Sequence, residues 1–296
     1  MQKKNLVGYT LSHLSLVQLF SDLSVELPDQ DSGTNLILFA IRGCRPTQAI
    51  TGRISRSLGW TDHVQLLPTR VDHVHMRCTL GIWDRSRKKV FAAIGSTVPH
   101  LDQVEKSAAR KGKAKGKGSN QLEPGFYLDL TKGEHLQGKK NGHQALRQTA
   151  SRFYRRSPSG FPYSETSPLF FGNPYDNLHC AWNLDSNRAG FSSAGCLVVA
   201  GLPHCERQEH PLENQGPWKN FHNMIYKVDQ KTFPLLLISW NKLRKAGGGL
   251  GKFKNMIYGS SGALVRELQK ELAASGHYRG RLHGRMDSRT YKAWKA

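Results

Sequence analysis

The sequence consists largely of short apolar runs separated by turn residues, and this pattern limits the fold more than any other feature. The runs cover residues 35–41, 71–83, 90–94, 125–130 and 233–240. Residues 84–88 predict the turn of a hairpin that joins the second run to the third. Apolar runs of this length, bounded by turns, are typical of β-strands. We therefore expect residues 34–245 to form one mainly β domain.

Two helices are expected outside the C-terminal region. Residues 1–33 form an N-terminal leader segment with one helix around Leu11 to Leu23. Inside the β domain, the residues from His143 to Tyr154 carry apolar side chains at helical spacing and predict a short helix.

A different pattern begins near the C-terminus. Residues 246–258 open with a glycine-rich stretch and indicate a linker. Beyond it, Val265, Leu268 and Leu272 recur at the spacing of one helical face. We therefore expect residues 259–296 to form a small α-helical module.

The formal net charge of the chain is +21, and such a charge attracts polyanions. Nucleic acid and the anionic polymers of a bacterial envelope are both candidates, as is a basic surface that only aids solubility. Nucleic acid is disfavoured because the charge comes without a recognisable nucleic-acid-binding motif. Residues 105–120, rich in Lys, Gly and Ala, predict a solvated basic loop, with an electrostatic tether as the alternative.

The N-terminal sequence bears on where the protein is made. Two lysines near the start resemble the beginning of a signal peptide, but His13, Gln18 and Asp22 interrupt the apolar run that follows. The sequence also lacks an apolar stretch long enough to span a membrane. These features predict synthesis in the cytoplasm without an ordinary export signal.

The five cysteines are odd in number and irregularly spaced. The absence of a CxxC pair argues against a zinc ribbon or a thioredoxin-type site. One or two disulfides are possible if the protein reaches an oxidising compartment. A cysteine that stays unpaired is a candidate nucleophile.

Residues 177–201 hold the strongest chemical pattern. Both ends of this segment predict strands, and residues 185–190 predict a turn, so a hairpin-like return would bring His179 close to Cys196. An imidazole in that position can take the thiol proton. Gly195 lets the backbone approach a substrate carbonyl, and Ser193 can hydrogen-bond within the same turn. The alternative is a buried structural cysteine after a glycine turn.

The same residues resemble the catalytic signature of the L,D-transpeptidase family. In that family a His lies about 14 to 18 residues before a Ser-His-Gly-Cys motif, and His179 and Ser193 to Cys196 fill these places. The resemblance implies a β-sandwich catalytic domain, His179 as base, and a thioacyl intermediate between Cys196 and a peptidoglycan stem peptide. Ala194 replaces the usual second His and Val198 replaces the usual Arg. The sequence is more similar to a divergent phage- and secretion-associated branch of the family, in which the nucleophile lies in a Ser-x-Gly-Cys motif.

Three upstream motifs, at residues 95–99, 125–127 and 143–146, also resemble that branch. Residues 259–296 independently resemble the small helical peptidoglycan-binding domain. That second likeness rests on Gly259, Ser260, Ser261, Gly262, Val265, Leu268, Gln269, Leu272, Gly276, Tyr278, Gly280, Gly284, Thr290 and Ala293. The usual Asp-Gly-x-x-Gly stretch is altered at residues 283–287, and a helical hairpin that only caps the main domain is the alternative.

Two short segments carry possible metal ligands. Asp72, His73 and His75 alternate as ligands on one strand face, and His204, Cys205 and His210 follow the cysteine motif. In both places the simpler interpretation is favoured, a half-exposed strand in the first and a polar loop in the second. We therefore expect neither a metal nor a cofactor.

Aromatic and basic residues near the motif are candidates for substrate contacts. Trp182 and Arg188 are the expected substrate-binding residues. Tyr163 and Trp218 could line a groove with Trp182, although such aromatics are more often core. Paired carboxylates of the muramidase type are not recognisable in the sequence.

Together these patterns predict a cysteine acyl-transfer enzyme that acts on peptidoglycan stem peptides in the periplasm or cell wall. Water as acceptor would make it a carboxypeptidase or endopeptidase, and an amine would make it a transpeptidase. A secretion-system effector, with a secretion apparatus and an immunity protein as partners, and a phage lysis protein both fit. The alternatives are a catalytically inactive wall-binding protein and, less favoured, a basic nucleic-acid-binding protein.

Overall fold

The computed structural model describes residues 8–30, 32–47, 50–51, 54–57, 59–109, 118–156, 163–164, 166–206, 213–245 and 253–296. In chain order its elements are β1 (Tyr9–Ser12), α1 (His13–Asp22), β2 (Leu36–Arg42), β3 (Cys44–Pro46), β4 (Ile50–Thr51), β5 (Ile54–Ser55), β6 (His63–Pro68), β7 (Cys78–Asp84), β8 (Lys89–Ser96), α2 (Leu101–Ala108), β9 (Asn120–Leu122), β10 (Gly125–His135), β11 (His143–Gln148), β12 (Arg152–Arg156), β13 (Leu169–Gly172), β14 (Leu178–Cys180), β15 (Leu197–Val199), α3 (Gly216–Tyr226), β16 (Thr232–Ser239), α4 (Trp240–Lys245), α5 (Ala263–Ala274) and α6 (Ser288–Lys295).

Within these ranges, eight strands form a closed barrel in the order β10-β11-β14-β15-β8-β7-β2-β16. The domain is mainly β, as expected, but the predicted sandwich is replaced by a barrel. The reason is the ladder between β16 and β10, in which Gly125 lies opposite Leu237 and Leu130 opposite Phe233. This pairing joins the two edges that a sandwich would leave open. The predicted hairpin between β7 and β8 is confirmed.

Strand β2 explains why the barrel has apolar residues on both faces. Leu36, Leu38 and Ala40 belong to the core cluster that contains most of the other strands. The alternating residues Ile37 and Phe39 belong to a second cluster, on the other face, beneath α1. A strand buried on both sides reads as a continuous apolar run, which is the pattern of residues 35–41.

The N-terminal segment packs on this second cluster. Helix α1 confirms the helix predicted between Leu11 and Leu23, and it begins with a capping box between Ser12 and Ser15. Its Phe20 side chain is fully buried against Trp83 and Phe126. The segment expected as a leader therefore contributes side chains to the core of the β domain.

The C-terminal helices pack against the barrel. Helix α5 confirms the helix predicted there, and its Val265 and Leu268 share a cluster with Tyr291 of α6 and Phe153 of β12. The Ser260 hydroxyl donates a hydrogen bond of 2.6 Å to the carbonyl of Leu23. The module is thus joined both to a strand of the β domain and to the N-terminal segment. None of the described helices is long and apolar enough to cross a membrane.

Two local predictions were wrong, and a third was wrong where it overlaps a helix. The helix expected from His143 to Tyr154 is the strand pair β11 and β12, because residues 143–148 pair along β10 instead. The strand expected over residues 71–83 begins only at Cys78, since the Asp72 carboxylate accepts hydrogen bonds from the N–H groups of the turn that follows it. The basic loop expected at 105–120 overlaps the end of α2, and residues 110–117 lie outside the described ranges.

Candidate functional site

Strands β14 and β15 bring His179 and Cys196 together. The two strands are parallel neighbours, with His179 opposite Val198, and Cys196 directly precedes β15. A ring nitrogen of His179 and the Cys196 Sγ lie within 4.8 Å of each other. The pairing is parallel, so the connection is a crossover loop and the predicted hairpin-like return is wrong.

The turn before Cys196 is held by Ser193. Its Oγ accepts a hydrogen bond of 3.2 Å from the Gly195 N–H and donates one of 2.7 Å to the Cys196 carbonyl. The predicted hydrogen bonding within this turn is therefore present. It fixes the backbone on both sides of the sulfur.

Gly195 occupies a position that only glycine fits. Its φ of +150° lies where side chains are strained. A Cβ at this position would lie 2.5 Å from Oδ1 of Asp176. The backbone therefore passes directly beside a carboxylate.

Two backbone N–H groups face the sulfur of Cys196. The N–H of Asn177 donates to Sγ at 3.3 Å, and it and the N–H of Cys196 itself both lower the pKa of the thiol. Burial, followed by the nearby Asp176 carboxylate, has the larger and opposite effect. The net result is a raised pKa, so the thiol is protonated at neutral pH.

Asp176 is a further site residue, and no sequence pattern singles it out. Its carboxyl group is buried, and burial raises its pKa to about 7, although Asn120, Arg152 and Arg156 act in the other direction. Among the described residues, Oδ2 of Asp176 has no hydrogen-bond partner. The side chain can therefore change charge near neutral pH beside the sulfur.

Two further histidines surround His179. His135 and His143 are cross-strand partners on β10 and β11. The His135 ring stacks on the His179 ring with 4.1 Å between centroids, and Nε2 of His143 lies 3.3 Å from Nδ1 of His179. Glycines at 138 and 142 mark a turn between the two strands, a signal that could have revealed this pair had residues 143–148 been assigned to a strand.

All three imidazoles are neutral at pH 7. Burial lowers the pKa of His135 to about 4, with His143 adding to the effect. Burial lowers the pKa of His179 well below its usual value, with both neighbouring rings adding to the effect, and the pKa of His143 is also lowered by burial. The Nδ1 of His143 lies 2.9 Å from the carbonyl of Asn141, which assigns its proton to Nδ1 and leaves Nε2 as the acceptor.

The two expected substrate-binding residues share a cleft beside this cluster. Trp182 and Arg188 line a cleft of about 430 Å³. The other lining residues lie within 181–185, 188–192 and at 202, so Cys196 is not part of the cleft wall. The Trp182 ring meets the His143 ring edge-on at 5.6 Å, and its backbone has a positive φ of 58°. Trp182 is half-buried and Arg188 is exposed.

The other metal candidates lie elsewhere. Oδ2 of Asp72 lies 2.9 Å from Nδ1 of His75 in a local turn, while Nδ1 of His73 lies 2.8 Å from the Pro99 carbonyl. The backbone of His204 hydrogen-bonds to Asn214, and residue 210 lies outside the described ranges.

The remaining aromatic candidates have separate surroundings. Tyr163 stacks on His73 and donates a hydrogen bond to the Ser119 carbonyl. Trp218 is fully buried in the main core cluster, which favours the core interpretation for that residue.

Each of the five cysteines, all within the described ranges, is a buried free thiol.

The comparisons with known proteins do not assign the chain to a family. No protein-family model matches the chain, and no curated protein or solved structure matches it either.

Proposed function

We propose that the protein is a cysteine acyl-transfer enzyme that acts on peptidoglycan stem peptides. The observation that supports this most is the environment of Cys196. Its sulfur lies within 4.8 Å of a neutral histidine, His179, and faces two backbone N–H groups in a turn that requires glycine. A general base beside a thiol, with fixed donors around it, is the arrangement that nucleophilic catalysis needs.

The first half of the reaction starts from a protonated thiol. His179 takes the proton of Cys196 as the sulfur attacks the carbonyl carbon of a stem peptide, so that the C–S bond forms while the oxygen gains negative charge. Collapse of this intermediate breaks the C–N bond, and the departing amine receives the proton from His179. A thioester on Cys196 remains.

In the second half, water or an amine attacks the thioester. His179 removes a proton from the acceptor, and the sulfur leaves and is reprotonated. His179 thus serves as base for either acceptor.

The two replaced motif positions bear on how a substrate carboxylate is bound. Ala194 is exposed, and Val198 is fully buried in β15. A substrate carboxylate must therefore be bound by a group other than residue 198. The exposed Arg188 is our candidate.

The C-terminal module is proposed to hold the wall polymer. Its surface carries eight exposed basic residues: Arg266, Lys270, Arg279, Arg281, Arg285, Arg289, Lys292 and Lys295. Such a surface fits anionic stem peptides and other anionic envelope polymers. In this proposal the protein is made in the cytoplasm and reaches the wall through a secretion apparatus or by lysis.

A catalytically inactive wall-binding protein is the second candidate, and one observation favours it. Cys196 is 7 % exposed, and burial raises the pKa of its thiol. A structural cysteine would have the same properties.

Mass spectrometry of defined muropeptides separates the two. The wild type and Cys196→Ala are incubated with a disaccharide tetrapeptide and with its cross-linked dimer, and Cys205→Ala, which removes another buried thiol, is the matched control. We expect loss of a terminal D-Ala, a new cross-link or a cut dimer with the wild type and the control only. If no sample changes the substrates, while all remain folded and bind sacculi, the wall-binding function replaces the enzyme.

A further inference from the structure

Five potential metal ligands are concentrated around His179. One group is His135, His179 and Cys196, and the second is His143, His179 and Cys180. In each group the ligand atoms lie within 4.8 Å of one another. The ligands are imidazoles and thiols, which suit zinc and other borderline or soft ions and do not suit magnesium or calcium.

The two groups differ in access. His143, His179 and Cys180 are all buried, whereas His135 is half-exposed. The group that contains His135 therefore has one ligand in contact with solvent, whereas the other group has none. The groups share His179, so occupation of one competes with the other.

We propose that His135, His179 and Cys196 form a Zn²⁺ site with an open fourth position. Three protein ligands and one exchangeable position are the usual composition of an accessible zinc site in proteins. This inference does not depend on the proposed function, because binding of an ion requires no turnover.

The neighbours of the ligands support this assignment. Metal-binding histidines are normally oriented through their second ring nitrogen. Here Nε2 of His143 lies 3.3 Å from Nδ1 of His179, and the side-chain amide of Asn177 lies 3.0 Å from Nδ1 of His135. His143 is itself held by the Asn141 carbonyl. The rings of His179 and His135 are thus positioned by contacts at Nδ1, which leave Nε2 of each ring for the metal ion.

Zinc geometry sets how close the ligand atoms must come. Around a tetrahedral zinc ion, bond lengths of 2.0 to 2.3 Å separate nitrogen and sulfur ligands by roughly 3.3 to 3.8 Å. The ligand atoms of this group lie within 4.8 Å of one another, so the gap to be closed is at most about 1.5 Å. The half-exposed ring of His135 is the ligand with the most freedom to close that gap.

Zinc binding at this site releases one proton. His135 and His179 bind through nitrogen lone pairs and release no proton, whereas the Cys196 thiol loses one proton to solvent as its S–Zn bond forms. Zinc affinity therefore rises with pH. The bound thiolate cannot attack a carbonyl, so zinc and an acyl group exclude each other at Cys196.

Cobalt and zinc titrations of the chelator-treated full chain test the site. We expect one Co²⁺ per chain, visible through tetrahedral d–d bands and a thiolate-to-cobalt charge-transfer band, and displacement of cobalt by Zn²⁺. Cys196→Ser should abolish the charge-transfer band and weaken zinc binding by about 100-fold or more, on the scale set by loss of a direct ligand. Cys180→Ser, a matched change in the buried group, should leave both unchanged.

His135→Ala provides a second route if Cys196→Ser fails to fold, since His135 is half-exposed. It should weaken zinc binding by at least about 10-fold, while circular dichroism and the thermal midpoint stay near those of the wild type. Equal zinc affinity in the wild type and both variants would overturn the proposal. A charge-transfer band that is lost in Cys180→Ser but kept in Cys196→Ser would also overturn it, in favour of the buried group.

Discussion

The Oδ1 atom of Asp176 lies 2.5 Å from the point where a side chain on Gly195 would place its Cβ. This relationship ties the glycine of the cysteine turn to a buried carboxylate that lies nineteen residues earlier. The same carboxylate therefore has two effects beside Cys196. It excludes a side chain at position 195, and its charge raises the pKa of the Cys196 thiol.

Gly195→Ala is expected to destabilise the turn and to abolish activity. The methyl group meets the Asp176 carboxylate, and the φ of +150° strains any side chain. We expect a loss of about 2 to 4 kcal/mol in the free energy of unfolding, measured by chemical denaturation. Gly190→Ala is the control, because its φ of +98° is also positive but open space surrounds it. Equal losses in the two variants would show that the carboxylate contact is unimportant.

Asp176→Asn is expected to make the thiol more reactive. The negative charge of Asp176 raises the pKa of Cys196, so its removal lowers that pKa. Alkylation of chelator-treated protein by iodoacetamide, with Cys196→Ala to identify the reacting site, measures the effect. The acceleration over the wild type should be larger at pH 8 than at pH 5.5, because Asp176 carries its charge only above its pKa of about 7. An acceleration that is the same at both pH values would contradict this.

The same variant should alter how stability depends on pH. The carboxyl of Asp176 has a pKa of about 7 in the folded chain and 3.8 as its reference value, so the folded state holds the proton more tightly. Its stabilising effect is complete below pH 4 and is lost as pH rises through 7, by up to on the order of 4 kcal/mol. The thermal midpoint of Asp176→Asn relative to the wild type should therefore increase between pH 5 and pH 8. If the thermal midpoints of the variant and the wild type changed with pH in parallel, the buried, protonated state of Asp176 would be contradicted.

Ser193→Ala is expected to loosen the backbone beside the nucleophile. It removes the hydroxyl that accepts from the Gly195 N–H and donates to the Cys196 carbonyl. Because these groups are buried, we expect a cost of about 1 to 3 kcal/mol in unfolding free energy and a fall in kcat. The exposed neighbour Ser192 supplies the control, and Ser192→Ala should leave both quantities nearly unchanged. A kcat for Ser193→Ala equal to that of the wild type would show that the turn does not position Cys196.

Tyr291→Phe tests the attachment of the C-terminal module. The Tyr291 hydroxyl donates to Oε1 of Glu123 at 3.2 Å, and Glu123 is paired with Arg155 of β12 in a buried ion pair. Loss of this donor leaves the carboxylate less satisfied, at a cost of about 1 to 2 kcal/mol. Hydrogen exchange should quicken in α5 and α6 more than in the barrel. The exposed Tyr175 is the control, and uniform exchange changes in Tyr175→Phe and Tyr291→Phe would contradict a specific contact.

Some of this organisation follows from the sequence alone. The apolar run of residues 35–41 predicted a strand, and β2 is that strand. The turn residues at 84–88 required the β7–β8 hairpin. Helical spacing at Val265 and Leu268 identified α5. These features depend on local periodicity and turn chemistry, which can be read without knowing the partner of any strand.

Only the tertiary structure decided the rest. A period of two identifies a strand but not its neighbour, so barrel closure between β16 and β10 and the parallel pairing of β14 with β15 could not be read from the residues. In residues 143–148, apolar positions fit a helix and a strand equally well, and the ladder with β10 settled the choice. That ladder set His143 opposite His135, and the pairing of β11 with β14 brought His143 close to His179. Burial of Asp176 beside Gly195 also followed from the tertiary packing. Contacts between residues far apart in the chain form only when non-local strands pair and exclude water, and no local pattern encodes which strands will do so.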